Sequence, residues 1–137
     1  MAVDYGDVRT GIAYSDSNET LAFPGGVIHE KDMEKVANII AGKAKEISAE
    51  LIVIGLPKNM DGSEGKQAQK CVKLSKLLEE ELNIPIVTWD ERVTTKIATT
   101  YMNETDTRGK KRRDTIDEVA ATVILQSYLD FRRLQKK

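Results

Sequence analysis

Met1-Ala-Val-Asp4-Tyr-Gly6-Asp-Val-Arg9-Thr-Gly11-Ile-Ala-Tyr-Ser15 decides the fold. Residues 1–5 and 11–15 are short apolar or β-favouring runs, and the segment between them is polar and bounded by Gly6 and Gly11, so the stretch reads as strand, turn, strand. Asp4 stands at the end of the first strand, where a short carboxylate can point off the sheet edge into a cleft. Phe23-Pro-Gly-Gly26 then predicts a turn leading into a third strand near Gly26 to His29.

Beyond this opening the hydrophobic period changes. Met33, Val36, Ala37, Ile40, Ala44 and Ile47 recur at helical spacing and predict an amphipathic helix over 31–47. Leu51-Ile-Val-Ile54, ended by Gly55 and Pro57, reads as a strand buried on both faces, followed by a polar loop to about Gly65. Ala68, Val72, Ser75, Leu78 and Leu82 mark a second helix, and Ile84 to Trp89 another strand. A short helix around Thr94 to Asn103 and a basic loop come next. Ile116, Val119, Ala120, Val123, Ile124, Tyr128 and Phe131 share one face of the last helix. Three strands with short connections form an antiparallel meander, and strands reached through helices add to it in parallel. The expected fold class is α/β, a mixed five-stranded sheet flanked by helices.

A chain of 137 residues with 40% hydrophobic and 31% charged side chains is expected to form a single domain over 1–137, neither disordered nor membrane-spanning. A domain of that size buries roughly 70% of its unfolded surface, so it needs no disulfide or metal to hold a core. The one cysteine, Cys71, reads as core filler on a helix, and its solitude suits an intracellular chain. Residues 1–91 hold 10 basic and 16 acidic side chains, whereas residues 92–137 hold 11 and 6. The positive part is a candidate anion-binding face. Its densest stretch is Arg108-Gly-Lys110-Lys111-Arg112-Arg113, expected to be a mobile loop that binds phosphate.

Glu91 follows the strand Ile84 to Trp89 in the place that Asp4 takes after the first. Asp90 is its alternative, because neighbouring strand residues point to opposite faces. On the last helix, 100° per residue puts Asp117 about 70° from the centre of the apolar face, Asp114 about 130° and Glu118 about 170°. Asp117 is thus the acid expected to reach the sheet, with Asp114 next. Asp130 lies about 20 Å further along the helix. Three carboxylates converging from two strand ends and a helix repel one another unless a cation sits between them, and hard oxygen ligands suit Mg²⁺ or Mn²⁺. Two such ions can activate a water and stabilise the leaving oxygen of a phosphodiester. The lack of a His cluster argues against zinc.

Asp4-Tyr-Gly6-Asp-Val-Arg9-Thr-Gly11, Gly55-Leu-Pro57-Lys-Asn59-Met-Asp61-Gly62-Ser-Glu64, Asp90-Glu91-Arg92-Val-Thr94-Thr95 and Asp117-Glu-Val-Ala120-Ala121 with Ile124-Leu-Gln126-Ser-Tyr128-Leu129 resemble the YqgF family, in order and over nearly the whole chain. The resemblance implies the RNase H-like fold of RuvC resolvases and a cytoplasmic, metal-dependent endonuclease. Pre-16S rRNA is its expected substrate and a four-way DNA junction the alternative, with Asp4, Glu91 and Asp117 at the family's acidic positions. Family members carry a few more residues before the first Asp, so the first strand is expected to be short or the start of the sequence truncated.

Other motif residues carry two readings each. Gly6 and Gly11 permit close backbone approach or positive φ. Arg9 holds a phosphate or makes a surface salt bridge. Asn59 to Gly62 is a structural turn or a substrate-contacting loop. Gly6, Arg9, Asn59, Arg92, Arg108, Lys110, Lys111, Arg112 and Arg113 are the candidate substrate contacts. His29 reads as an edge residue and Trp89 as a core aromatic, although its ring could stack a base. Asp-x-Gly after a first strand also resembles the phosphate turn of actin-like ATPases, but those clamp ATP between two such domains. A non-catalytic nucleic-acid-binding module acting in ribosome maturation, with ribosomal precursor particles as partners, is the remaining alternative. A monomer or weak homodimer is expected.

Overall fold

A computed structural model describes residues 1–57, 64–90 and 109–135, with side chains described for 1–57, 64–90 and 116–134. The elements are β1 (Ala2–Asp4), β2 (Arg9–Ser15), β3 (Ala22–His29), α1 (Met33–Glu46), β4 (Ile52–Leu56), α2 (Lys66–Glu81), β5 (Ile86–Asp90) and a long helix α3 (Gly109–Gln135). The strands form one mixed sheet in the order β3-β2-β1-β4-β5. β1–β2 and β2–β3 are antiparallel, and β1–β4 and β4–β5 are parallel. β1 is only three residues long.

Strand alternation sorts the core into two layers. Val3, Ile12, Ile52 and Ile54 face α1 and α2, packing with Val36, Ile40, Leu74 and Leu78. Ala2, Ala13 and Val53 face α3, where they meet Ala121, Ile124, Leu125 and Leu129. Burying each Val, Leu or Ile stabilises the fold by about 1.5–3 kcal/mol, so both helical layers are strongly held. The α3 side of β1 and β2 carries small residues, which lets that helix lie close to the sheet. Cys71 is buried on α2.

α1 starts at Asp32, whose side chain accepts a hydrogen bond from the Glu34 N–H at 2.9 Å. Gln126 fastens α3 to the turn between β2 and β3: its Oε1 accepts from the Ala22 N–H and its Nε2 donates to the Thr20 carbonyl, both at 2.9 Å. These bonds satisfy backbone groups of the turn and fix the helix along the sheet.

Two sequence expectations are corrected. Phe23-Pro-Gly-Gly26 is not a turn before a strand but lies inside β3. β3 is an edge strand, so Pro24 can be accommodated without the ladder of a second neighbour. Between the pairs Gly11↔Val27 and Ala13↔Pro24, β2 has one residue and β3 two, a bulge that Gly26 takes up at φ 101°. Nor do the cations form a loop: the backbone is helical from Gly109, so Lys110, Lys111, Arg112 and Arg113 sit in the opening turns of α3. Lys and Arg are good helix formers, and no breaker follows Gly109 before Ile116. The expected helix over 94–103 falls outside the described residues.

Candidate active site

Asp4, the last residue of β1, pairs in register with Gly11 of β2. It is two residues from Ala2, so it points to the α3 side of the sheet. The chain then reverses through a tight turn. A Cβ on Gly6 would stand 2.3 Å from the Arg9 carbonyl oxygen, so only glycine fits there. The turn is tied to its surroundings by Gln67 Nε2, which donates to the Tyr5 carbonyl at 3.1 Å, and by the Glu30 N–H, which donates to the Val8 carbonyl at 3.1 Å. An exposed Lys70–Asp7 ion pair at 2.9 Å closes its outer side and raises the Lys70 pKa, chiefly through that hydrogen bond.

From the other side α3 brings Asp117. Its backbone passes directly over Gly11, where a Cβ would stand 2.1 Å from the Asp117 carbonyl oxygen. Gly11 is therefore the neighbour that Asp4 and Asp117 share. The Asp117 side chain turns to Arg9, whose Nε donates to Oδ2 at 2.9 Å across 108 residues of sequence. Both side chains are partly buried, at 31% and 20% exposure, so the contact keeps water on one side.

The remaining candidates divide by position. Trp89 packs edge-on against Tyr128 and beside Phe131, which sets its face of β5 toward α3. Asp90 pairs in register with Leu56, a member of the α1–α2 layer, and so lies on the face opposite Asp4. Trp89 stands on an edge strand, and α3 covers its ring. His29 is exposed and pairs in register with Arg9. Asp130 bonds Gln126 Nε2 at 3.0 Å and also pairs with Arg133, in the part of α3 remote from Asp117. Asn59, Glu91, Arg92 and Arg108 lie outside the described residues, as do the side chains of Lys110, Lys111, Arg112, Arg113 and Asp114.

Among the described residues no three His, Cys, Asp or Glu side chains gather as a cation site. Asp4 and Asp117 nevertheless fit a hard divalent ion by donor type, and Asp117 already holds a cation, the Arg9 guanidinium. A cleft of about 540 Å³ bordered by Met1, Ser15, Asp16, Leu51 and Arg132 lies at the opposite end of the strands and contains none of these acids. No described helix is long and apolar enough to cross a membrane. Sequence reasoning allowed Gly11 a close backbone approach, which the structure shows to be that of α3, and left Gln126, the fastening of that helix, without a role. Both were visible as motif residues, but only the packing shows what they touch.

Known proteins resemble this chain in sequence and in fold. A protein from Caldanaerobacter subterraneus subsp. tengcongensis named "Putative pre-16S rRNA nuclease" is 44% identical over 131 residues, covering 95% of this chain and 94% of its own. One of the same name from Halothermothrix orenii is 41% identical over 131 residues, covering 96% and 94%. Among solved structures, Thermus thermophilus RuvC in complex with a Holliday junction substrate superposes with a TM-score of 0.58 at 10% identity, covering 96% of this chain and 92% of that one. That likeness shows the fold, the RuvC-like form of the RNase H architecture. The model of the family described as "RuvX: Holliday junction resolvase" matches residues 1–131, and the chain belongs to that family, also called YqgF.

Proposed function

We propose that this protein is a metal-dependent endonuclease that hydrolyses phosphodiester bonds in the 5′-end maturation of pre-16S rRNA, acting in the cytoplasm. The observation that carries the reading is the meeting at Gly11 of Asp4 and Asp117, 113 residues apart in sequence, in a chain whose relatives bear a pre-16S rRNA nuclease name. Glu91 is assigned as the third acid. Period-two alternation favours it over Asp90, since Asp90 lies on the face away from Asp4.

These three carboxylates would hold Mg²⁺ or Mn²⁺, with two ions as the fullest arrangement. A divalent ion bound there supplies an activated water and charge stabilisation for the leaving oxygen. The protein's own part is to place hard oxygens on a rigid strand end and a rigid helix, and to bring the substrate phosphate to them. Gly6 keeps the β1–β2 turn low enough for a backbone to approach. Arg9, Arg92 and Arg108 offer forked donors suited to phosphate oxygens, and Lys110, Lys111, Arg112 and Arg113 add charge on the helix that carries Asp117. Asn59 is assigned to the substrate path on the same reading.

A four-way DNA junction is the second substrate reading, favoured by the family's description and by the fold shared with RuvC. Resolving a junction needs two active sites, which a weak homodimer would provide, whereas trimming RNA needs one. Cleavage of a labelled pre-16S 5′ leader and of a labelled four-way junction, each with Asp4→Asn as control, separates the two. Faster cleavage of the leader is expected; cleavage of the junction alone would transfer the assignment to junction resolution, and cleavage of neither would leave a binding role in ribosomal precursor particles.

A further inference from the structure

We propose that Arg9 is a positioning residue that joins Asp117 to the substrate: its Nε holds the carboxylate while its two Nη groups take the non-bridging oxygens of a phosphate beside the bond to be cut. This rests on the reading above, in which Asp117 belongs to a phosphodiester-cleaving site.

The geometry gives each end of the guanidinium a separate task. Nε donates to Asp117 Oδ2 at 2.9 Å. Among the described residues, Nη1 and Nη2 make no hydrogen bond or ion pair, although the side chain is only 31% exposed and carries four further N–H donors there. A partly buried guanidinium bound through one nitrogen has its remaining fork available to an acceptor that arrives from solution, and a phosphate matches that fork in shape and charge. The position is also fixed from below. Arg9 opens β2, its carbonyl lies against Gly6, and its backbone pairs in register with His29. Both Arg9 and Asp4 share the α3 face of the sheet, so a phosphate held by the fork lies beside the two acids.

A bridge of this kind makes two events one. Binding a phosphate fixes the guanidinium, which fixes the Asp117 side chain, so the acid is fully oriented only when substrate is present. A salt bridge that merely braces α3 against the sheet would show no such coupling, because the Nη groups would take no part in binding.

The test measures binding of a short single-stranded RNA to the full chain in EDTA, at several salt concentrations, for wild type, Arg9→Gln, Asp117→Asn and the double variant. Loss of one phosphate contact on a single strand lowers the log–log salt slope by about 0.7, and Arg9→Gln is expected to show that decrease. Asp117→Asn is expected to raise affinity at least about threefold more in the Arg9→Gln background than alone, since in the otherwise native chain it also unmoors the guanidinium. Unchanged slope in Arg9→Gln, or additive effects of the two substitutions, would overturn the bridge. Arg9→Lys covers the case in which Arg9→Gln does not fold: one ammonium keeps the slope but cannot span both partners, so the coupling to Asp117 is lost, and retained coupling would count against the proposal. Mn²⁺ binding to wild type and Asp117→Asn, followed by the electron paramagnetic resonance of the free ion, separately tests whether Asp117 belongs to a cation site. If it does not, the reading beneath the proposal fails whatever the RNA binding shows.

Discussion

Gly11 and Asp117 touch through their backbones: β2 presents a bare Cα where α3 crosses, with room for no more than a hydrogen beneath the Asp117 carbonyl. This contact sets how far the helix stands from the sheet. It also sets where the Asp117 carboxylate lies relative to Asp4, the register partner of the same glycine.

Gly11→Ala is therefore expected to push α3 outward. The added methyl would begin 2.1 Å from a backbone oxygen, which no rotamer change can relieve. Overpacking of this kind costs about 1–3 kcal/mol, and the melting temperature should fall by several degrees. Cleavage should fall further than the lost stability accounts for, by at least about tenfold at a temperature where the variant is fully folded. A variant that melts like wild type and cleaves at the wild-type rate would show that the close approach is incidental.

The turn between β2 and β3 is organised by a carboxylate. The Thr20 and Leu21 N–H groups donate to Asp16 Oδ1 at 2.8 and 3.2 Å, and the Thr20 hydroxyl donates to Oδ2 at 3.0 Å. The backbone donors, Thr20 first, hold the Asp16 carboxyl below its ordinary 3.8. A depressed folded-state pKa means that the unfolded chain binds the proton more readily, so the contribution is complete above the ordinary value and lost as pH falls through the folded one. The melting-temperature difference between wild type and Asp16→Asn should be constant above about pH 5 and shrink below about pH 4. A difference independent of pH between 2.5 and 7 would show that the charge is not what orders the turn, pH limits here being about those of the carboxylate range.

How much was legible in the sequence follows from which signals are local. The opening strand, turn and strand were legible because apolar runs and glycines bound them, and the helices because their apolar faces repeat at 3.6 residues. Asp117 could be picked from Asp114, Glu118 and Asp130 by angle and rise alone, and the structure places it against the sheet beside Arg9. The failures have physical causes. Pro24, Gly25 and Gly26 carry a turn's composition, but an edge position and a bulge admit them into β3, and edge status is a property of the whole sheet. The run from Lys110 to Arg113 looked like a solvated loop by charge, yet each residue favours a helix by propensity. Trp89 packs against α3 as a core aromatic would, but it does so from the edge strand β5 and not from a central one. The partner of Arg9 lies 108 residues away, and no local pattern distinguishes an arginine that binds a carboxylate from one that binds a phosphate.

The central claim is that Asp4, Glu91 and Asp117 work together on a phosphodiester through a divalent cation. Single-turnover cleavage of a 5′-labelled pre-16S leader RNA tests it most directly, with wild type in Mg²⁺ or Mn²⁺, wild type in excess EDTA, and Asp4→Asn, Glu91→Gln and Asp117→Asn in metal. Cleavage by wild type in metal is expected, with loss of at least about a thousandfold in EDTA and in each variant, while each variant keeps a cooperative melting transition. Full cleavage in EDTA, or wild-type turnover by Asp117→Asn, would contradict the account.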